Sequence, residues 1–266
     1  MPSDLWQKTN YIQDLSFLKS CNIFEYDISK ANINMLYYYG KIDEAQYKTY
    51  MNMDNHMRKV LIGLMEKKNR NLIKIKANGI KHFKQLFFEK YDLNDNDILC
   101  IKNDAIFTFR KLEDVTQFDN VKFTIRNRYT LFCRIYRMEL FYLFDAVNDK
   151  EVLDIKGMNN ENYKLHEPYM IDFIKTLFKT FQTDQPEEAI MLLRNFYENY
   201  INRRYPVGYY RELDSGTFRM NKMAEYLNFK ATIATPQILP MIDINTNGSF
   251  LRQLSKILYT EYLRGR

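Results

Sequence analysis

The sequence predicts an α+β protein with an antiparallel sheet in the middle of the chain, helices flanking it and a mainly helical C-terminal part. Apolar spacing carries most of that prediction. Apart from a short strand at 22–27 it is helical up to residue 91, alternates in strand fashion between 98 and 155, and returns to a helical period after 166. Only 8 Gly and 6 Pro occur in 266 residues, which favours regular elements on short connections. With 46% hydrophobic and 15% aromatic residues the chain can bury a substantial core, so disorder is not expected over most of it.

Taken in order, residues 4–20 place Leu5, Tyr11, Ile12, Leu15 and Leu18 at helical spacing and predict a helix, followed by a short strand over 22–27. From Ser29 the pattern turns helical through Ile33, Leu36 and Tyr37, with Gly40 as C-cap, and a second helix starts near Asp43. Residues 55–91 read as helix almost throughout, with a break at Asn78-Gly79. They form the most basic segment of the chain: Arg58, Lys59, Lys67, Lys68, Arg70, Lys74, Lys76, Lys81 and Lys84.

Residues 98–101 and 106–109 predict two strands joined at Lys102-Asn103-Asp104 as a β-hairpin. Alternation over 121–128, aromatic and β-branched residues over 129–144 and a strand at 151–155 extend the sheet. Beyond His166, helical spacing returns through Met170, Phe173, Ile174, Leu177 and Phe178, then over 190–200, 218–226 and 249–262. The polar GMNNENYKLH stretch at 157–166 suits a seam dividing 1–160 from 161–266.

The net charge of +6, with a pI near 8.9, suits a phosphate-rich partner and serves solubility equally well. Cys21, Cys100 and Cys133 are odd in number and lie in apolar surroundings, as reduced core thiols of a cytoplasmic protein do. His56, His82 and His166 are too far apart to predict structural zinc. No signal-peptide core and no run of 18 apolar residues occurs, so no membrane partner is expected. Heavy use of Asn, Lys, Ile and Tyr hints at an AT-rich, viral genome.

Two apolar strands each deliver one aspartate to a strand end or turn: Asp27 in IFEYDISKANINMLYYYG and Asp104 in ILCIKNDAIFTF. Two carboxylates brought together in that way can hold Mg²⁺ or Mn²⁺. Each also has a plain structural reading. Asp27 can help begin the next helix, with Ser29 as N-cap, and Asp104 can be an ordinary turn residue.

The segment YDISKANINML resembles the first palm motif of family B DNA polymerases, and ILCIKNDAIFTF resembles their Tyr-Gly-Asp-Thr-Asp-Ser hairpin. The resemblance covers roughly residues 22–160 and implies a palm-like sheet, with a palm and fingers domain over 1–160 and a helical thumb-like domain over 161–266. Asp27 and Asp104 match the two metal-holding carboxylates. Lys74 and Asn78 match the Lys-x-x-x-Asn of the fingers helix, where the lysine meets the incoming nucleoside triphosphate, with Arg58 and Lys59 as competing cations. RIYRMELFY and LDIKGM resemble the strands after the hairpin, which implies that Lys102, Arg134, Tyr136, Arg137, Lys156 and Gly157 contact nucleic acid, DNA rather than RNA. Tyr142 is a further stacking candidate.

Lys102 stands where that hairpin has its first aspartate, and Ala31 and Asn32 lie where the first motif has Tyr-Pro. Three functions therefore compete. The first is a small or split metal-dependent nucleotidyltransferase, polymerase-like or primase-like, completed by a second polymerase subunit or replication protein. The second is a non-catalytic replication accessory that binds nucleic acid on a degenerate palm. The third is a viral protein-interaction or inhibitor protein.

Overall fold

The structure is a computed structural model that describes residues 4–8, 10–158, 160–183, 185–210 and 245–264. It is α+β, with antiparallel strands, flanking helices and a helical C-terminal part, as the sequence predicts. The chain forms two compact units, Met1–Asp14 with Asn22–Arg128, and Leu15–Cys21 with Tyr129–Arg266. Two long strands, β2 (Phe17–Ile28) and β6 (Val121–Ile135), contribute residues to both.

In the first unit the strand order is β1 (Tyr11–Ile12), β3 (Ile98–Ile101), β4 (Ala105–Thr108), β2, β6 and β5 (Val115–Phe118). Helices α1 (Ala31–Tyr38), α2 (Glu44–Asn52), α3 (Asn55–Lys68) and α4 (Asn71–Tyr91) lie between β2 and β3 in sequence. One face of β2, with Phe24, Tyr26 and Ile28, packs with Phe83 and Phe87 of α4, one turn apart, and with Phe123 of β6. Phe87 stacks on Phe123 at 4.5 Å between centroids and meets Tyr26 at 5.4 Å. Burying each such aromatic contributes roughly 1.5–3 kcal/mol, so this layer fixes where α4 lies against the sheet.

Several expectations hold and others need correction. Gly40 follows α1 at φ +60, with the Lys41 amide donating to the Leu36 carbonyl, as a C-terminal glycine should. Asp43 caps α2 in a capping box with Gln46. The helix expected over 4–20 is absent. Asp4–Gln7 forms one 3₁₀ turn, after which Tyr11 and Ile12 pair with Ile101 and Cys100. A ladder to the edge of β3 outweighed a loose helical spacing there. The break expected at Asn78-Gly79 falls instead at Asn69, whose side chain accepts from the Asn71 amide, and α4 runs unbroken through Gly79. Gly79 lets α1 approach closely, because a Cβ there would meet Met35 Sδ at 2.5 Å.

The second unit contains the start of β2, the end of β6, β7 (Met138–Asp145) and β8 (Lys150–Ile155) in antiparallel register. Helix α5 (Asn160–His166) occupies the polar stretch expected as a seam and passes through a π turn, Glu167–Ile171, into α6 (Asp172–Gln182). Tyr169 leaves helical geometry there, just after Pro168, whose ring and missing amide disfavour a regular α-turn. Helices α7 (Pro186–Ile201) and α8 (Asn245–Arg264) complete a cluster in which Tyr142, Leu153, Leu177, Phe178, Leu193 and Leu254 are buried together. The helix expected over 218–226 lies outside the described residues. The three cysteines form no disulfide with one another; burial pushes the Cys21 thiol up to about 11.

Candidate functional site

The hairpin of β3 and β4 closes as tightly as the sequence predicts. The Lys102 amide donates to the Ala105 carbonyl at 2.9 Å and the Ala105 amide donates back at 3.2 Å, leaving Asn103 and Asp104 as the two corner residues. β4 pairs with β2 so that Asp27 lies opposite Ala105, and the Ile28 amide donates to the Asp104 carbonyl at 3.1 Å. The two predicted aspartates therefore occupy neighbouring positions at one strand end, although 77 residues separate them in sequence.

The turn out of β2 is fixed by its own hydrogen bonds. The Ser29 amide donates to the Lys122 carbonyl at 2.9 Å. Asn34, only 2% exposed, donates to the Ser29 carbonyl at 2.6 Å, accepts from the Tyr47 hydroxyl at 2.8 Å and has its carbonyl bonded by Asn120 at 3.0 Å. Ser29 is not the N-cap expected of it. Lys30 takes that place in the left-handed region, at φ 49, and makes no side-chain cap bond. The chain thus reverses sharply one residue after β2, which stops the strand just beyond Asp27.

Strand period puts Glu25 on the same face as Asp27. Glu25 is 1% exposed and Asp27 28% by side chain, and Arg126 Nη1 lies 3.9 Å from a carboxylate oxygen of each. Asn127 donates to Glu25 Oε2 at 3.1 Å. The strand end is therefore a small cluster of charges, two acids bridged by one guanidinium. Nearby, the ammonium of Lys84 on α4 is buried and donates to the Lys8 carbonyl at 2.8 Å. Burial, with the charge of Lys81 behind it, pushes Lys84 down to about 8, while the charge of Asp104 pulls it up.

The remaining predicted residues are dispersed. Lys74 and Asn78 are exposed on one face of α4, and Lys59 is exposed on α3. Arg58 is engaged at the start of α3, donating to the Met53 carbonyl at 3.0 Å and to Asn55 at 3.1 Å, which fits a role in shaping that turn. Lys102 is half-buried at the hairpin.

In the second unit, Tyr136 and Arg137 form the exposed corner between β6 and β7, with Tyr136 at φ 54. Arg134 is half-buried in β6 opposite Glu139. Lys156 is held by Asp154 at 2.6 Å and lies over the rings of Phe141 and Tyr129, and Gly157 follows it at φ 90. Tyr142, expected as a stacking candidate, is buried and donates to Glu151 at 2.5 Å, so it belongs to the core.

Sequence reasoning missed Glu25, Arg126, Asn127 and the burial of Lys84. The signal for Glu25 was its place two residues before Asp27 on one strand. For Lys84 it was the spacing from Ile80, which puts both on the apolar face of α4. Among the described residues, no group of three or more His, Cys, Asp or Glu is placed to hold a metal ion. A cavity of about 1480 Å³ lies in the second unit, lined by residues such as Lys19, Thr180 and Glu188, and holds none of the predicted residues.

A protein-family model described as "Bacteriophage PBS1 gene 130 protein" matches residues 1–260. No curated protein matches the chain. No helix among the described residues is long and apolar enough to cross a membrane.

Proposed function

This chain belongs to the bacteriophage PBS1 gene 130 protein family, and from that premise we propose that it is a viral metal-dependent nucleotidyltransferase acting on nucleic acid in the cytoplasm of the infected cell. The observation that carries the reading is the register that sets Asp27 and Asp104 side by side at one strand end. The resemblance to a family B polymerase palm supports it through element order: strand with aspartate, basic helix, hairpin with aspartate.

The donor chemistry fits Mg²⁺ or Mn²⁺, since two aspartates offer hard oxygens and such an ion completes its shell with water and substrate phosphates. Asp27 and Asp104 would hold it. Bound there, the metal supplies a lowered pKa for an attacking hydroxyl and neutralises a leaving pyrophosphate. The protein's own residues do the rest. Glu25 anchors Arg126 beside Asp27, which holds that carboxylate in place. Lys74 and Asn78, on one exposed face of α4, offer donors to a nucleoside triphosphate. DNA rather than RNA as substrate, and a second polymerase or replication subunit as partner, extend the same proposal.

Primer extension with DNA in Mg²⁺ and in Mn²⁺ tests it. Asp27→Asn and Asp104→Asn should each lower incorporation at least ~10²-fold, the size of loss when one preorganised charge is removed from a reacting centre. Equal activity in either variant and wild type sinks the proposal. A second reading is favoured by Arg126 beside Asp27 and by Lys102 in the turn, since cations there compete with metal. It is a replication accessory that binds nucleic acid without catalysis, in which case binding survives both substitutions and no extension occurs.

A further inference from the structure

Charge in this chain is segregated by element. From 55 to 91, the span of α3 and α4, there are 10 Lys and Arg against 2 Asp and Glu, a net of +8. The whole chain carries +6, so everything else sums to −2. Part of that positive charge is neutralised: Lys76 pairs with Glu66 and Lys90 with Glu113. Lys67, Lys68, Arg70 and Lys74 are exposed and Lys81 is half-buried, and none of these five makes an ion pair among the described residues.

Within α4 their arrangement is linear. Arg70, Lys74, Asn78 and Lys81 recur at intervals of four, four and three residues, which places them on one face of α4, while Lys67 and Lys68 lie in the last turn of α3, across the break at Asn69. At about 1.5 Å per residue the row from Arg70 to Lys81 is roughly 16 Å long. A nucleic-acid strand advances about 3.4 Å per phosphate, so a row of this length spans roughly five phosphates.

We infer that this face of α4, with Lys67 at the end of α3, is a sequence-independent docking track for one strand of nucleic acid, its phosphates laid along Lys67, Arg70 and Lys81, and Lys74 shared between the strand and the triphosphate. The inference rests on the nucleic-acid reading above for the class of partner and goes beyond it in placing the strand. Charge complementarity selects the occupant. No Asp or Glu occurs between Lys67 and Lys81, so the row presents cations and the Asn78 carboxamide, whose NH₂ can donate, and phosphate oxygens are acceptors. An anionic membrane calls for exposed apolar side chains among the cations; Ile73 and, on α3, Met57, Val60 and Leu64 are exposed, whereas none is between Lys74 and Lys81, so a membrane is the competing occupant that the vesicle arm of the test separates.

The test is fluorescence anisotropy of a labelled 12-nucleotide single-stranded DNA with the full chain in EDTA, between 50 and 200 mM salt. Three proteins are compared: wild type, the quadruple variant Lys67→Ala, Arg70→Ala, Lys74→Ala and Lys81→Ala, and a control carrying Arg194→Ala, Arg252→Ala, Lys256→Ala and Arg264→Ala. The control removes the same charge from exposed positions on α7 and α8. The first variant should bind at least tenfold more weakly at 100 mM salt, with its log–log salt slope reduced by roughly 3, since each lost single-strand phosphate contact is worth about 0.7. The control should keep most of both.

Equal losses in the two quadruple variants, or no binding by wild type at 50 mM salt, overturn the inference. So does a first variant that keeps DNA affinity but loses binding to vesicles containing 30% phosphatidylserine. Circular dichroism checks folding; if the quadruple variant is not folded, Arg70→Glu alone should give a severalfold loss, and no loss counts against the track. The outcomes separate this inference from the catalytic reading. Asp27→Asn and Asp104→Asn should bind DNA in EDTA as wild type does, so absent extension with track-dependent binding defeats catalysis alone. Normal extension with track-independent binding defeats the track alone.

Discussion

Lys84 puts a cation where its helix buries apolar side chains, and that position makes its proton measurable. In the folded chain it titrates at about 8, against 10.5 for an ordinary lysine. Between those values the unfolded chain binds the proton and the folded chain does not, so this residue makes stability rise with pH across that window. Replacing it with Met removes the effect. Lys84→Met should gain stability relative to wild type at pH 7 by on the order of 1–2 kcal/mol more than at pH 9.5, read from urea denaturation at both pH values. A gain that does not depend on pH would show that Lys84 is charged and content in the folded state. Asp27 and Asp104 stood out in the sequence because each follows an apolar run. Glu25 and Arg126 were less so, since their meeting depends on β2 lying beside β6, a pairing across about a hundred residues that no local pattern announces.

At the scale of elements, the hairpin of β3 and β4 and its pairing with β2 hold the two aspartates in register. The hairpin was legible because its strands and turn are contiguous. β1 was not, because two residues become a strand only through the edge of β3, about 90 positions away. Inserting one glycine between Asn103 and Asp104 should turn the two-residue corner into a three-residue loop, another common hairpin closure, at a modest cost in stability. If the corner geometry positions Asp104 for catalysis, the same insertion should abolish primer extension; retained activity would detach the chemistry from this turn. Gly79→Leu should be costlier. With a Cβ already 2.5 Å from Met35 Sδ and 2.9 Å from Tyr39, a larger side chain must push α1 away. The expected loss is about 1–3 kcal/mol, visible as a lower thermal midpoint, and an unchanged midpoint would mean that α1 moves freely.

At the scale of the whole molecule, the two-domain division expected at 160 meets a specific obstacle. Leu131, Leu140, Tyr142 and Leu153 from the strands share one buried cluster with Ile174, Leu177, Phe178 and Leu193 from the helices that follow. A chain ending at residue 160 would leave that sheet face without its cover. It should aggregate or elute as large oligomers in size-exclusion chromatography, whereas a soluble, folded monomer would support the division. The register of Asp27 with Ala105 bears on synthesis as well. Those residues are 78 positions apart, so at about 5–20 residues per second β2 leaves the ribosome about 4–16 s before β4 exists to pair with it. During that interval Ile23, Phe24 and Tyr26, buried in the finished protein, have no sheet to enter. Co-translational exposure of β2 is thus set by how quickly the four helices after it are translated, and codons that slow that stretch lengthen the period in which the strand is open to aggregation.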